Sequence, residues 1–162
     1  MDLNKLFSMQ EVLDKRIENE HNLENQCLIN KKVLALFVEV GELANETRCF
    51  KFWSKKTASP KEVILEEYVD CLHFILSIGI TSNFKDILLS APESSHDDAT
   101  DSFLKLSCLI SNFLGNKTRE NYIDLFNNFL NLGNMLGFNE EDIEKAYVSK
   151  NEINHERQNQ GY

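Results

Sequence analysis

The chain has 162 residues and a formal charge of −9, with 42% hydrophobic and 27% charged residues, which is too apolar for a disordered chain and enough to bury a core. Six Gly and two Pro are too few for a turn-rich β-sandwich or barrel, and the acidic balance disfavours a nucleic-acid partner. No apolar run reaches the roughly 18 residues of a membrane span, and the opening MDLNKLFSMQEV has no signal-peptide architecture, so a cytoplasmic, membrane-free protein is expected.

In chain order, residues 2–20 predict a first helix with Leu3, Leu6, Phe7, Val12, Leu13 and Ile17 on its apolar stripe. A polar stretch at 21–26 interrupts it, and a second helix is expected over 27–50. Residues 54–60 (SKKTASP) read as a loop, with Ser59 placed to cap the third helix and Pro60 at its first position. That helix, 61–80, is apolar on nearly every side from Val63 onward and should be the central one. A second loop covers 90–96, and three more helices are expected at 97–114, 118–136 and 140–158. Asp97 and Asp98 stand at a helix start, and Gly115 and Gly137 stand where helices end. The four cysteines (27, 49, 71 and 108) lie on apolar segments without CxxC spacing and read as reduced core thiols. The expectation is one all-α domain over 1–162, a bundle of about six helices.

The chemistry-bearing feature is a pair of acidic pairs: Glu39 and Glu42 on the second helix, Glu67 and Asp70 on the third. A spacing of i, i+3 puts both acids of a pair on one helix face. Each pair is embedded in apolar sequence, ALFVEVGELA and YVDCLHFIL, where a carboxylate is costly unless something neutralises it. Basic residues are scarce there, so a divalent metal is the economical solution. Oxygen ligands without a His or Cys pair favour Mg²⁺, with Mn²⁺ as a substitute, over Zn²⁺. Glu62 or Glu66 is expected to be solvated. The bland alternative is that all these acids lie on solvated faces. His73 shares the face of Asp70, but a lone His in CLHFIL reads more readily as a hydrogen-bonded core residue than as a ligand.

Two other constellations stay open on the residues alone. Lys150, Asn154 and Arg157, at i, i+4 and i+7, form one helical stripe that suits polyphosphate oxygens or, equally, a solvated basic face. Phe50, Phe52 and Trp53 beside Lys51, Lys55 and Lys56 offer a stacking face near cations, or simple packing at a helix end.

The spacing E39-x-x-E42, 24 residues, E67-x-x-D70 resembles the signature of the all-α nucleotide pyrophosphohydrolases, which include MazG-like enzymes and dimeric dUTPases. Three further segments resemble the dimeric dUTPase branch: Phe50-Lys51-Phe52-Trp53-Ser54, Glu67-Tyr-Val-Asp70-Cys-Leu-His73-Phe74, and Lys150-Asn151-x-x-Asn154-x-x-Arg157-Gln158. Met9-Gln10-x-x-Leu13-Asp14 is similar to that branch's N-terminal motif, with Asp14 where Asn is usual; Phe50 stands where Trp is usual.

The resemblance implies hydrolysis of dUTP, and also dUDP, to dUMP by a homodimer. It implies that Glu39, Glu42, Glu67 and Asp70 hold Mg²⁺, with Glu39 or Glu42 acting on the attacking water. Lys51, Lys55, Lys150, Asn154 and Arg157 would then contact phosphates. Gln10, Asp14, Trp53, His73, Phe74 and Asn151 would contact the nucleoside. The competing expectations are a pyrophosphohydrolase of other or modified nucleotides and a non-catalytic helical binding module.

Overall fold

The computed structural model describes residues 1–91 and 98–161, and the only regular elements among them are six α-helices. They are α1 (Leu3–Glu20), α2 (Ile29–Thr47), α3 (Lys61–Thr81), α4 (Ala99–Gly115), α5 (Arg119–Met135) and α6 (Glu140–Asn159). Four begin on a side chain that satisfies an otherwise unpaired amide of the first turn. Asp2 accepts from Lys5 N, Asp98 from Asp101 N, Thr118 from Asn121 N and Asn139 from Asp142 N. Gly137, at φ +80°, follows the end of α5 as expected. Most of the expected 90–96 loop, and Asp97, lie outside the described residues.

Four local expectations are corrected. The second helix starts two residues later than expected and stops at Thr47, short of Phe50, because Arg48 turns left-handed at φ 59°. Its guanidinium then ties down the following loop, donating to Ser54 Oγ at 2.6 Å and the Lys56 carbonyl at 3.2 Å. Ser59 does not cap α3: Pro60 occupies the capping position, and the Ser59 hydroxyl donates instead to the Glu46 carboxylate. Of the cysteines only Cys71 is a core residue, since Cys27 and Cys108 are exposed and Cys49 is half-buried. Val12 likewise leaves the apolar stripe of α1 and is 61% exposed.

Helix α3 is central, as its all-round apolar pattern requires, and packs against α1, α2, α5 and α6, while α4 pairs with α5 and touches α2. Its residues from Tyr68 to Gly79 are buried except Asp70 and Phe74, which look into the cleft described below. Two reciprocal tyrosine–glycine contacts lock α3 to α5. Tyr68 of α3 stacks on Phe129 at 4.2 Å, donates to the Phe129 carbonyl at 3.2 Å and lies against Gly133. Tyr122 of α5 donates to the Ile75 carbonyl at 3.0 Å and lies against Gly79 of α3. Each glycine lets a phenol reach a helix carbonyl, so a buried hydroxyl keeps its hydrogen bond.

A Cβ at Gly79 would fall 2.7 Å from Tyr122 Cζ and one at Gly133 2.6 Å from Tyr68 Cζ, whereas Gly41 has open space. We therefore expect Gly79→Ala and Gly133→Ala to destabilise by about 1–3 kcal/mol through overpacking. Gly41→Ala should stabilise by about 0.5–1 kcal/mol through helix propensity alone. Urea unfolding of the three variants checks this; stabilisation by all three would remove the tyrosine–glycine lock.

Candidate active site

Helices α1, α2, α3 and α6 enclose a cleft of about 630 Å³. One end is acidic. Glu39 comes from α2, Glu67 and Asp70 from α3, and one carboxylate oxygen of each lies within 4.8 Å of the others. Glu42 lines the same cleft one turn along α2, but it is exposed and is not one of this close group. The fourfold convergence expected from spacing is thus a group of three with a fourth acid beside it. The pairing of α2 with α3 turns Glu39 inward and leaves Glu42 nearer solvent.

The electrostatics follow from this crowding. Burial, and then the charges of Asp70, Glu42 and Glu67, push Glu39 up to about 7 from the ordinary 4.5. Burial and the neighbouring acids raise Glu67 as well. Asp70 is raised chiefly by burial, although the Lys150 ammonium opposes the shift. Lys150 Nζ lies 2.7 Å from Asp70 Oδ2 and 2.8 Å from Glu66 Oε1. Burial alone would lower its pKa, but these two bonds outweigh burial and raise it. Glu66 is half-solvated, as one of the two acids beside the pair was expected to be, yet it is not idle.

The other end is a buried hydrogen-bond chain. His73 Nδ1 and the Tyr147 hydroxyl both bond Gln10 Oε1 at 2.7 Å, and Gln10 Nε2 donates to Asp14 Oδ1 at 2.7 Å. Ser77 Oγ, at 2.5 Å, and Lys32 Nζ, at 3.1 Å, donate to Asp14 Oδ2. An amide oxygen only accepts, so His73 carries its proton on Nδ1 and leaves Nε2 as a bare acceptor. That Nε2 is buried without a protein partner, and burial lowers the ring's pKa to about 3, so it stays neutral. The ring stacks on Tyr147 at 4.2 Å. Phe74 also lines the cleft.

The tail stripe reaches the cleft too: Lys150, Asn154, Arg157 and Gln158 all line it, with Arg157 Nη1 3.4 Å from Asn154 Oδ1. Asn151, on the same helix, is buried behind the lining and its Nδ2 lacks a partner. The structure does not bring the loop residues to this cleft. Lys51 binds the Asn45 side chain and lies 5.5 Å over the Phe50 ring, while Lys55 is exposed. Trp53 is 66% exposed, edge-on to Phe50 and Phe52. Lys32, Ser77 and Tyr147 were not anticipated. Ser77 stands seven residues after Asp70 and Lys32 seven before Glu39, so helical spacing from the acids marks both.

Hard carboxylate oxygens, an unbalanced negative charge and, among the described residues, no imidazole or thiolate within the converging group fit Mg²⁺ or Mn²⁺ held by Glu39, Glu67 and Asp70. In the metal-free chain the raised Glu39 binds its proton more tightly when folded than when unfolded. Its contribution to stability is therefore present below about 4.5 and is lost as pH rises through about 7. In thermal melts with EDTA, Glu39→Gln should stabilise the chain, with the gain growing across that window. A gain independent of pH would contradict the shift.

No curated protein matches this chain. A family model described as dUTPase matches residues 2–162. With that match over essentially the whole length and an all-helical architecture, the chain belongs to the all-α dUTPase family.

Proposed function

We propose that this chain is a dUTP diphosphatase that converts dUTP and water to dUMP and pyrophosphate, and dUDP to dUMP and phosphate. The observation that carries the reading is the group of three carboxylates in a cleft that is also lined by the buried polar side chains Gln10, Asp14 and His73. Glu39, Glu67 and Asp70 would hold Mg²⁺, with Mn²⁺ as a substitute. When bound there, such an ion would lower the pKa of water and offset charge on phosphate oxygens. Glu42, beside the group rather than within it, or Glu39 would orient the attacking water and take its proton. Lys150, Asn154 and Arg157 would face the phosphate chain and stabilise charge on the leaving group.

The end lined by Gln10, Asp14 and His73 suits a deoxynucleoside. The Nε2 of His73 is an acceptor awaiting a donor, which a sugar hydroxyl supplies, and Phe74 offers an apolar floor for the sugar. Gln10 Nε2 already donates to Asp14 Oδ1 but has a second proton, and that proton with the Asp14 carboxylate would complement a carbonyl and an N–H on a pyrimidine edge. Asn151 would support this end from behind. The Asp14–Lys32 pair favours a second reading, a related pyrophosphohydrolase of other or modified nucleotides, because a charged pair reads a base edge differently from a neutral amide.

A homodimer fits the surface. Leu34 and Val38, one turn apart on the outer face of α2, are 65% and 51% exposed, and Phe52 is 94% exposed. In such an assembly Trp53, Lys51 and Lys55, which do not line the cleft of their own chain, would serve the partner's nucleotide. We place the protein in the cytoplasm, where its four free cysteines would stay reduced. Among the described residues no helix is long and apolar enough to cross a membrane.

Phosphate release with Mg²⁺ across a nucleotide panel tests the reading. Selective dUTP turnover that Asp70→Asn abolishes is expected. Turnover of several bases would favour the second reading, and none would make the chain a binding module. Arg157→Ala should weaken nucleotide binding by about 1.5–3 kcal/mol. The loss should grow from dUMP to dUDP to a non-hydrolysable dUTP analogue in calorimetry, because a guanidinium aimed at the outer phosphates meets nothing in dUMP. Equal losses for all three would remove Arg157 from phosphate binding.

A further inference from the structure

Lys150 belongs to both halves of the phosphate end of the cleft. Its side chain is only 7% exposed, and it bonds Asp70 and Glu66 at 2.7 and 2.8 Å. Asp70 is also one of the three carboxylates that share a small volume with Glu39 and Glu67. A divalent cation in that volume would stand next to an ammonium already bonded to one of its ligands. The two positive charges repel in a half-buried setting where salt screens them weakly. A single ammonium also cannot balance Glu39, Glu66, Glu67 and Asp70 together. Lys150 has another place to go, since Asn154 and Arg157, one and two turns further along α6, line the same cleft. Its flexible stem can swing the charge towards an anion seated against that stripe.

We propose that Lys150 is a resident counter-ion that is exchanged between Asp70 and the phosphate chain, so that the divalent cation and the polyphosphate each clear the way for the other. The proposal rests on the metal-dependent reading above and adds a coupling to it. The cation releases Lys150 from Asp70 and makes it available to phosphate. The phosphate draws Lys150 away and bares Asp70 for the cation. Such coupling is reciprocal, so either ligand raises the affinity for the other by the same factor.

Calorimetric titration of the full chain with Mn²⁺, in the absence of nucleotide, tests the first half. Lys150→Met should bind Mn²⁺ about tenfold tighter than wild type, within the usual range of such couplings. Equal or weaker binding by the variant overturns the exchange and leaves the metal site standing. Absence of Mn²⁺ binding by both proteins overturns the metal site and the exchange together. Should the variant not fold, the ammonium nitrogen resonance of Lys150 in wild type gives the answer: saturating Mg²⁺ should shift it, and an unmoved resonance overturns the proposal. The second half is read from dUDP affinity in EDTA. Asp70→Asn should raise it about fivefold when Lys150 is present and leave it unchanged in the Lys150→Met background. A gain of the same size in both backgrounds is mere loss of negative charge and overturns the exchange.

Discussion

Three carboxylates from two packed helices share one small volume, and the charge problem this creates governs the rest of the cleft. Glu39, Glu67 and Asp70 are all pushed towards their protonated forms, first by burial, and the charges of Asp70 and Glu42 then add to the shifts of Glu39 and Glu67. The ammonium of α6 answers only part of that charge, through Asp70 and Glu66. A fold gains nothing from such an arrangement by itself, since an apolar pair at the α2–α3 contact would pack without repulsion. Acids grouped in a cleft and only partly compensated by one ammonium are what a cation site would need, and the family match supplies the chemistry that would use it.

The opposite end of the cleft solves a different problem, that of keeping polar groups inside a hydrophobic bundle. Gln10, Asp14, His73, Ser77 and Tyr147 come from three helices and satisfy one another in a single chain of bonds, with Lys32 neutralising the Asp14 carboxylate. Because Gln10 Oε1 takes both the Tyr147 hydroxyl and the His73 N–H, the tautomer and tilt of His73 are determined from behind. Of the atoms in this chain of bonds, His73 Nε2 is left without a partner, and burial keeps the ring neutral. A pocket built in this way holds its acceptor in place, so a ligand proposed to bind there would cost little rearrangement.

Both ends depend on α3. Asp70, His73, Phe74 and Ser77 share one of its faces and look into the cleft, while Tyr68, Leu72, Ile75 and Gly79 anchor it to the core. The reciprocal tyrosine–glycine contacts with α5 hold the helix without leaving a phenol hydroxyl unpaired. Side chains on a helix clamped from behind keep their positions better than side chains on a loop. The aromatic loop after α2 differs in this respect, since it presents Phe52 and Trp53 to solvent, held at its base by Arg48.

The all-α class, the central place of α3 and the two acidic pairs were legible in the sequence, because hydrophobic periodicity and i, i+3 spacing are local properties that need no knowledge of partners. Most helix starts were legible to within two residues for the same reason, as a capping Asp, Asn or Thr acts on the next turn of its own chain. The end of α2 was not, because Arg48 takes a left-handed conformation that its later bonds to Ser54 and Lys56 support. Spacing alone placed Glu39 and Glu42 as equals. Only the packing of α2 against α3 turned Glu39 towards Glu67 and Asp70 and left Glu42 outside. Likewise the stripe of Lys150, Asn154 and Arg157 was visible as a row of donors, but its direction was not. That Lys150 lies against Asp70, and that Tyr147 closes a bond chain reaching back 137 residues to Gln10, are facts of tertiary structure. Contacts between distant segments depend on how helices cross, and periodicity within one helix carries no information about that crossing.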